Sequence, residues 1–199
     1  MKANLEYIFK DLKDGDCLAF YRKAWYLQLI PFFTRQYKGQ EAPQHVAICY
    51  EIKRTTNAIS FKLSEQTFHG GQYRDIEIFE VNGKYFIEDD YFNKQNKIAL
   101  LSLKTPMTEK QIEAGIKDAK GQIGRKYGWI ELPKSLELLD RILNKRIKNY
   151  LYKRNIEENS RHCSKHIQMN LMYSGYYVFK DFNPTPVEIT KLPIFNVIV

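Results

Sequence analysis

Apolar and polar residues alternate in short runs through the first half of the chain, a pattern typical of β-strands packed against a core. The first run follows the turn signal Asp14-Gly15-Asp16. The runs that predict strands are "DCLAFY", "QHVAICYEI", "AISFKLSEQTF", "RDIEIFEV", "KYFIE" and "KIALLSL". Because several of these runs follow one another closely, we expect a mostly antiparallel sheet.

After Pro106 the apolar residues repeat with the period of a helix. The segment "TEKQIEAGIKDAKGQI" opens with a capping box from Thr108 to Gln111, in which each side chain satisfies a backbone N–H at the start of the helix. The pattern predicts an amphipathic helix whose apolar face is formed by Ile112, Ile116, Ala119 and Ile123.

Four more segments complete the predicted elements. An aromatic-rich helical segment, "RKAWYLQLIPFFTRQYKG", lies between the first two strands and is interrupted at Pro31. "SLELLDRILNKRIKNYLY" predicts a helix capped by Ser135, and "RHCSKHIQMNLMYS" one that starts after Ser160 and stops at Gly175. The tail "FNPTPVEITKLPIFNVIV" is expected to be extended and to end in a strand.

Strands in one block and helices in another predict an α+β fold. Neither a linker nor a break in composition divides the 199 residues, so we expect one domain spanning residues 1–199. Hydrophobic residues make up 44% of the chain, which is enough for an ordinary core. The helical stretch at about 130–158 would be an elaboration of that domain.

The formal net charge of +8 favours an anionic partner without identifying one. Part of the charge is local, because residues 141–154 contain six basic residues and no acidic one. These residues form either a solvated helix face or a surface that docks an anionic partner. They are Arg141, Lys145, Arg146, Lys148, Lys153 and Arg154.

The N-terminal segment "MKANLEYIFKDLKDGD" lacks the apolar region and the small-residue cleavage site of a secretory signal. No apolar run approaches the roughly 18 residues that span a bilayer. We therefore expect a soluble protein made in the cytosol, unless another system exports it.

The three cysteines are spaced too irregularly for a disulfide framework. Cys17 and Cys49 lie in apolar strands, where a cysteine is usually a small buried hydrophobe. Cys163 has polar neighbours and, if Ser160 caps the helix, is the third residue of its first turn. The unpaired N–H groups and the dipole at that end of a helix favour a thiolate, so Cys163 is a candidate nucleophile, with a buried structural thiol as the alternative.

A thiolate nucleophile needs a base and a group that orients the base. His162 and His166 are poor candidates, since a residue next to Cys163 in a helix points about 100° away and one three positions on is not held by a separate element. We expect both at the surface or at the edge of the pocket. His45 heads the strand "HVAICYE", where its ring would lie at the rim of the sheet, and Glu65 in the next strand would accept from the second ring nitrogen. The pattern therefore predicts a Cys–His–Glu constellation.

A zinc site is a further alternative, because His69, His162, Cys163 and His166 are ligand types. Cys-x-x-His supplies only half of a structural zinc site, however. The remaining ligands would have to come from scattered single residues, so we predict no metal and no cofactor.

Six short motifs together resemble the circularly permuted NlpC/P60 group of papain-like hydrolases. They are "DGDCLAFY", "QHVAICYE", "LSEQTFHGG", "GRKYGW", "HCSKHI" and "PTPVEI", and they follow in that order from Gly15 to Ile189. Each is weak alone; their order and spacing carry the resemblance. It implies a papain-like α+β core in which the nucleophile helix follows the sheet.

By position, the resemblance makes Cys163 the nucleophile, His45 the base and Glu65 the residue that orients it. It also implies that Tyr127 lines the pocket. His69 in "TFHGG" remains a rival for the third position, because Glu65 lies 20 residues after His45.

The chain departs from the group at two positions. Lys165 stands where an acid usually follows Cys-Ser, and Gly128 where an Asp follows the tyrosine. Both departures concern the preference for a substrate and leave the nucleophile unaffected.

The resulting hypothesis is a thiol hydrolase that cleaves an amide or peptide bond, with a cell-wall-type peptide as one substrate. A lipid esterase or acyltransferase of the same fold is the first alternative, since the segment around "WYLQLIPFF" is apolar enough to line a pocket or dock on a membrane. The second is a non-catalytic binding module that docks an anionic partner through its basic helix; nucleic acid is the less favoured partner. The apolar residues in question are Trp25, Leu29, Ile30, Phe32 and Phe33.

Overall fold

The computed structural model describes residues 5–21, 43–67, 69–126, 161–176 and 184–198, and the fold over these residues is α+β. The helices are α1 (Leu5–Asp11), α2 (Asp90–Asn93), α3 (Glu109–Gly121), α4 (Cys163–Tyr173) and α5 (Pro186–Thr190). The strands are β1 (Cys17–Tyr21), β2 (His45–Arg54), β3 (Ala58–Thr67), β4 (Gly70–Val81), β5 (Lys84–Ile87), β6 (Lys97–Leu103) and β7 (Phe195–Ile198).

The seven strands form one sheet in the order β5-β4-β3-β2-β1-β6-β7. Every neighbouring pair is antiparallel, as the alternating pattern predicted. The six predicted strands are present, and β7 is the strand expected at the end of the tail. Strand β4 begins four residues before its predicted start at Arg74, because "GGQY" pairs with β3 although its glycines carry no strand signal.

Each face of the sheet packs against helices, because apolar side chains alternate between the two faces along every strand. One face, with Phe20, Cys49 and Phe61, lies against α1 and the first turn of α2. The opposite face, with Cys17, Ile48 and Leu101, lies against α4 and α5. Cys17 and Cys49 are fully buried, on opposite faces, which confirms their prediction as core residues.

The capping box of α3 is present as predicted, with the Thr108 N–H donating to Gln111. The predicted apolar face is correct except at its end. Ile112 and Ile116 pack against the core, whereas Ile123 is 56% exposed because the helix stops at Gly121.

The tail differs from the prediction of an extended segment. Residues Pro186–Thr190 form helix α5, because Thr185 and Glu188 make a capping box and Pro186 occupies the first turn, where proline is tolerated. The capping-box signal lies in "TPVE" itself, but prolines on either side of Thr185 also favour extended chain, so the local signals conflict. Helix α1 was not predicted; the Arg54 guanidinium donates to the carbonyls of Phe9 and Leu12 at its end.

Several predicted features lie outside the described residues. These are the aromatic-rich segment interrupted at Pro31, the helix capped by Ser135, the basic residues between 141 and 154, and Tyr127 and Gly128. Within the described parts of the chain, none of the helices is long and apolar enough to cross a membrane.

Candidate active site

Cys163 is the first residue of α4, and His162 is the N-cap. The His162 Nδ1 accepts the Lys165 N–H at 3.3 Å, in place of the Ser160 cap that was expected. Cys163 therefore stands two positions nearer the start of the helix than predicted. The reason for favouring a thiolate is unchanged, because the N–H groups of the first turn still have no partner within the helix.

His45 and Glu65 are paired in the interior. His45 opens β2, and its Nε2 lies 2.8 Å from Glu65 Oε2 on β3. The Glu65 side chain is 2% exposed and that of His45 14%. Burial acts to raise the pKa of Glu65, but the hydrogen bond and charge of His45, with the charge of Arg74, outweigh it and hold that pKa below its ordinary value. The sequence predicted this contact across the hairpin.

The Cys163 thiol and the His45 ring lie close enough for each to shift the pKa of the other. Because Nε2 is paired with Glu65, Nδ1 is the ring nitrogen left to exchange a proton with the thiol. Burial acts to raise the pKa of the thiol, but interactions with the neighbouring His162 and His45 rings outweigh it and bring the pKa well below that of an ordinary thiol. The structure thus favours a thiolate beside an imidazolium.

The pKa of His45 moves in the opposite direction. Burial acts to lower it, and interactions with Tyr91, Cys163 and Glu65 outweigh burial and raise it well above its ordinary value. Burial also raises the pKa of Tyr91, so near neutral pH its phenol is uncharged. The thiolate and the Glu65 carboxylate are then the groups that stabilise the imidazolium.

His162 and His166 are both buried, so the expectation that they lie at the surface is wrong. His162 lies outside the helix, with extended backbone at φ −88° and ψ 172°, so the helical geometry that would have pointed its ring away does not apply. His166 is on the inner side of α4, where its Nε2 is 2.8 Å from Ser64 Oγ. Burial lowers the pKa of His166 to about 4, so the ring is neutral.

The start of α4 is anchored by a buried ion pair. Arg161 donates from both Nη atoms to Asp118 of α3, at 2.7 and 2.9 Å, and both side chains are about nine-tenths buried. Further along α4, Asn170 accepts from the Tyr50 hydroxyl and donates to the Gly115 carbonyl. These contacts fix the helix that carries Cys163 against both α3 and β2.

Sequence reasoning missed a group of residues behind Glu65. Arg74 Nε donates to Glu65 Oε1 at 2.7 Å, and its Nη1 is paired with Asp89. The hairpin register explains this contact: Gln72 is opposite Glu65, which makes Arg74 its diagonal neighbour on the same face. The sequence does not reveal that register, because the predicted strand starts only at Arg74.

The two glycines of "HGG" have a structural role. The backbone of residues 122–125 lies directly on β4, with the Gly71 N–H donating to Arg125 O and the Gly124 N–H to Gly71 O. A Cβ at Gly71 would lie 1.9 Å from Gln122 O. The Gln66 side chain also binds the carbonyls of Arg125 and Lys126, so β3 and β4 hold the chain where it leads towards residue 127.

The other predicted residues are placed differently. His69 is exposed in the turn between β3 and β4, while Glu65 is the residue bonded to His45. Lys165 is half-buried on the first turn of α4. Within the described ranges, no group of three His, Cys, Asp or Glu side chains is arranged to hold a metal ion.

The sequence was also compared with known proteins. No protein-family model matches the chain. No curated protein matches it at a significant level.

Proposed function

We propose that this protein is a papain-like thiol hydrolase of the circularly permuted NlpC/P60 type, which cleaves an amide or peptide bond through an acyl-thioester. The observation that carries the proposal is one chain of interactions: the Cys163 thiol and the His45 ring shift each other's pKa, and the His45 Nε2 lies 2.8 Å from a buried Glu65 carboxylate. A nucleophile, a base and a group that orients the base are the parts such chemistry requires.

In the proposed reaction, the Cys163 thiolate attacks the carbonyl carbon of the substrate. The first N–H groups of α4, with the helix dipole behind them, favour the negative charge that develops on the carbonyl oxygen. His45 gives its proton to the leaving amine, and a thioester forms on Cys163. His45 then accepts a proton from water, which attacks the thioester, releases the acid and restores the thiol.

Glu65 acts on His45 in each step. The bond to Nε2 fixes which ring nitrogen faces the thiol, and the carboxylate stabilises the imidazolium once it forms. The order of the three residues along the chain, His45 then Glu65 then Cys163, is the order that the resemblance implies. The chemistry of the individual residues and the family resemblance therefore point to the same three side chains.

A titration of thiol reactivity tests the first half of the proposal. Cys17 and Cys49 are fully buried, so alkylation of the native protein should report on Cys163, with Cys163→Ala giving the background. We expect wild type to react well below the pH at which an ordinary thiol ionises, about 8.5, and His45→Ala to react only near that value. An ordinary profile in wild type, unchanged by His45→Ala, would contradict the proposal.

Acylation tests the second half of the proposal, which is that Cys163 forms a thioester and that water then hydrolyses it. A reactive p-nitrophenyl ester should place an acyl group on Cys163, seen by intact mass, and wild type should lose it to water with time. His45→Ala should acylate slowly and keep the adduct. A wild-type adduct that never decays would mean that the site does not hydrolyse a thioester.

A further inference from the structure

Both oxygens of the Glu65 carboxylate are occupied by different partners. Oε2 lies 2.8 Å from His45 Nε2, and Oε1 accepts from Arg74 Nε at 2.7 Å. The carboxylate is therefore held on two sides, by the ring it orients and by a guanidinium. Because the Glu65 side chain is only 2% exposed, water contributes little to its position or charge.

Arg74 is itself fixed by helix α2. Its Nη1 is paired with Asp89, whose other carboxylate oxygen caps α2 by accepting the Phe92 N–H at 2.9 Å. The Tyr91 ring, in the first turn of the same helix, lies 5.9 Å from the guanidinium carbon and meets the His45 ring edge-on at 6.0 Å. One short helix thus contacts both Arg74 and the base.

We propose that Arg74 is a positioning residue, which turns the Glu65 carboxylate towards His45 and keeps it ionised. The inference rests on the proposed function, in which His45 is the base. The guanidinium fork suits this role, because one N–H can bind Glu65 while another binds Asp89, at a fixed angle between them. A buried carboxylate without a cation tends to take up a proton, and a protonated Glu65 would stabilise the imidazolium less.

The test uses the proton on His45 Nε2, which gives a downfield NMR signal when it is bonded to a carboxylate. His45→Ala identifies the signal by its loss. On acidification the signal should disappear as Glu65 takes up a proton. Arg74→Met should move this loss upward by about one pH unit or more, because the carboxylate has lost a cation within hydrogen-bond distance.

Further variants of Arg74 separate the effect of its positive charge from that of its hydrogen bond to Glu65. Arg74→Lys keeps the charge and should restore most of the wild-type titration. Arg74→Gln is neutral but can still donate to Glu65, so it should behave like Arg74→Met, and it serves if the methionine variant fails to fold. Lys62→Met is the matched control, since Lys62 forms an exposed ion pair with Asp75 across the same two strands at 2.7 Å and should leave the signal unchanged.

Acylation of Cys163 gives the second readout. Its rate constant at saturating ester should fall about 10- to 100-fold in Arg74→Met, with little change in the ester concentration at half-saturation. A folded Arg74→Met protein with the wild-type titration and the wild-type acylation rate would overturn the inference. If the signal shifts as expected but Cys163 is never acylated in wild type, Arg74 positions Glu65 and it is the proposed function that fails.

Discussion

Ser64 Oγ and His166 Nε2 lie 2.8 Å apart, and this hydrogen bond joins the strand that carries Glu65 to the helix that carries Cys163. Ser64 precedes Glu65 on β3, and His166 lies one turn after Cys163 on α4. Both side chains are fully buried. A histidine that sequence reasoning considered as a metal ligand thus connects two parts of the site.

The buried His166 should make stability depend on pH. Burial lowers its pKa to about 4 in the folded protein, against 6.5 for an ordinary histidine. The unfolded chain therefore takes up the proton first, so the stability is fully present above pH 6.5 and is lost as the pH falls towards 4. The separation of the two pKa values corresponds to about 3 kcal/mol of unfolding free energy across that range.

Urea unfolding of wild type and His166→Gln between pH 7 and pH 4 measures this effect. The difference between the two proteins removes the contribution of Asp16, whose pKa burial raises to about 6 and which acts in the opposite direction. His69→Gln is the control, since His69 is exposed in the turn between β3 and β4. Parallel curves for wild type and His166→Gln would contradict the prediction.

Glu65→Gln should lower the pKa of His45. The hydrogen bond to the Glu65 carboxylate is one of the interactions that raise it, and an amide carries no charge with which to favour the protonated ring. The pH range over which thiolate and imidazolium coexist should therefore shrink from its alkaline side. NMR titration of the His45 ring checks this, with Glu51→Gln as the control, because Glu51 is paired with Lys120 outside the site. An unchanged His45 titration in Glu65→Gln would mean that Glu65 does not stabilise the imidazolium.

Gly71→Ala should destabilise the protein by about 1–3 kcal/mol, because the new Cβ would overlap Gln122 O, which is backbone and cannot rotate away. Gly121→Ala is the matched control. Gly121 is the last residue of α3 and has nothing within 4 Å of an added Cβ, so alanine there should gain up to about 1 kcal/mol. Thermal or urea unfolding of the two variants gives the comparison; equal effects would argue against the close approach at Gly71.

Tyr50 and Asn170 should be energetically coupled. The Tyr50 hydroxyl donates to Asn170 Oδ1 at 2.5 Å in the interior, between β2 and α4. Tyr50→Phe and Asn170→Leu each leave a buried polar group unpaired, at a cost of about 1–3 kcal/mol. The double variant should cost less than the sum of the two, by roughly 1–3 kcal/mol in a double-mutant cycle. Additive single effects would contradict the coupling.

Local pattern was enough to predict most of the elements. The alternation of β2, β3 and β6 and the capping box of α3 are properties of neighbouring residues, and the structure reproduces them. Prediction failed where local signals conflicted. The two prolines of "PTPVEI" concealed the capping box of α5, and the glycines of "GGQY" concealed the start of β4, whose strand conformation depends on pairing with β3.

Residue type and local period are enough to predict the α+β fold and the burial of Cys17 and Cys49, and to select Cys163, His45 and Glu65 as candidates. Three further contacts are visible only in the folded chain: His162 caps α4, His166 binds Ser64, and Arg74 binds the second oxygen of Glu65. These contacts join residues brought together by strand register and by the packing of α4 on the sheet. Register depends on the pairing of whole strands, so no short stretch of sequence contains it.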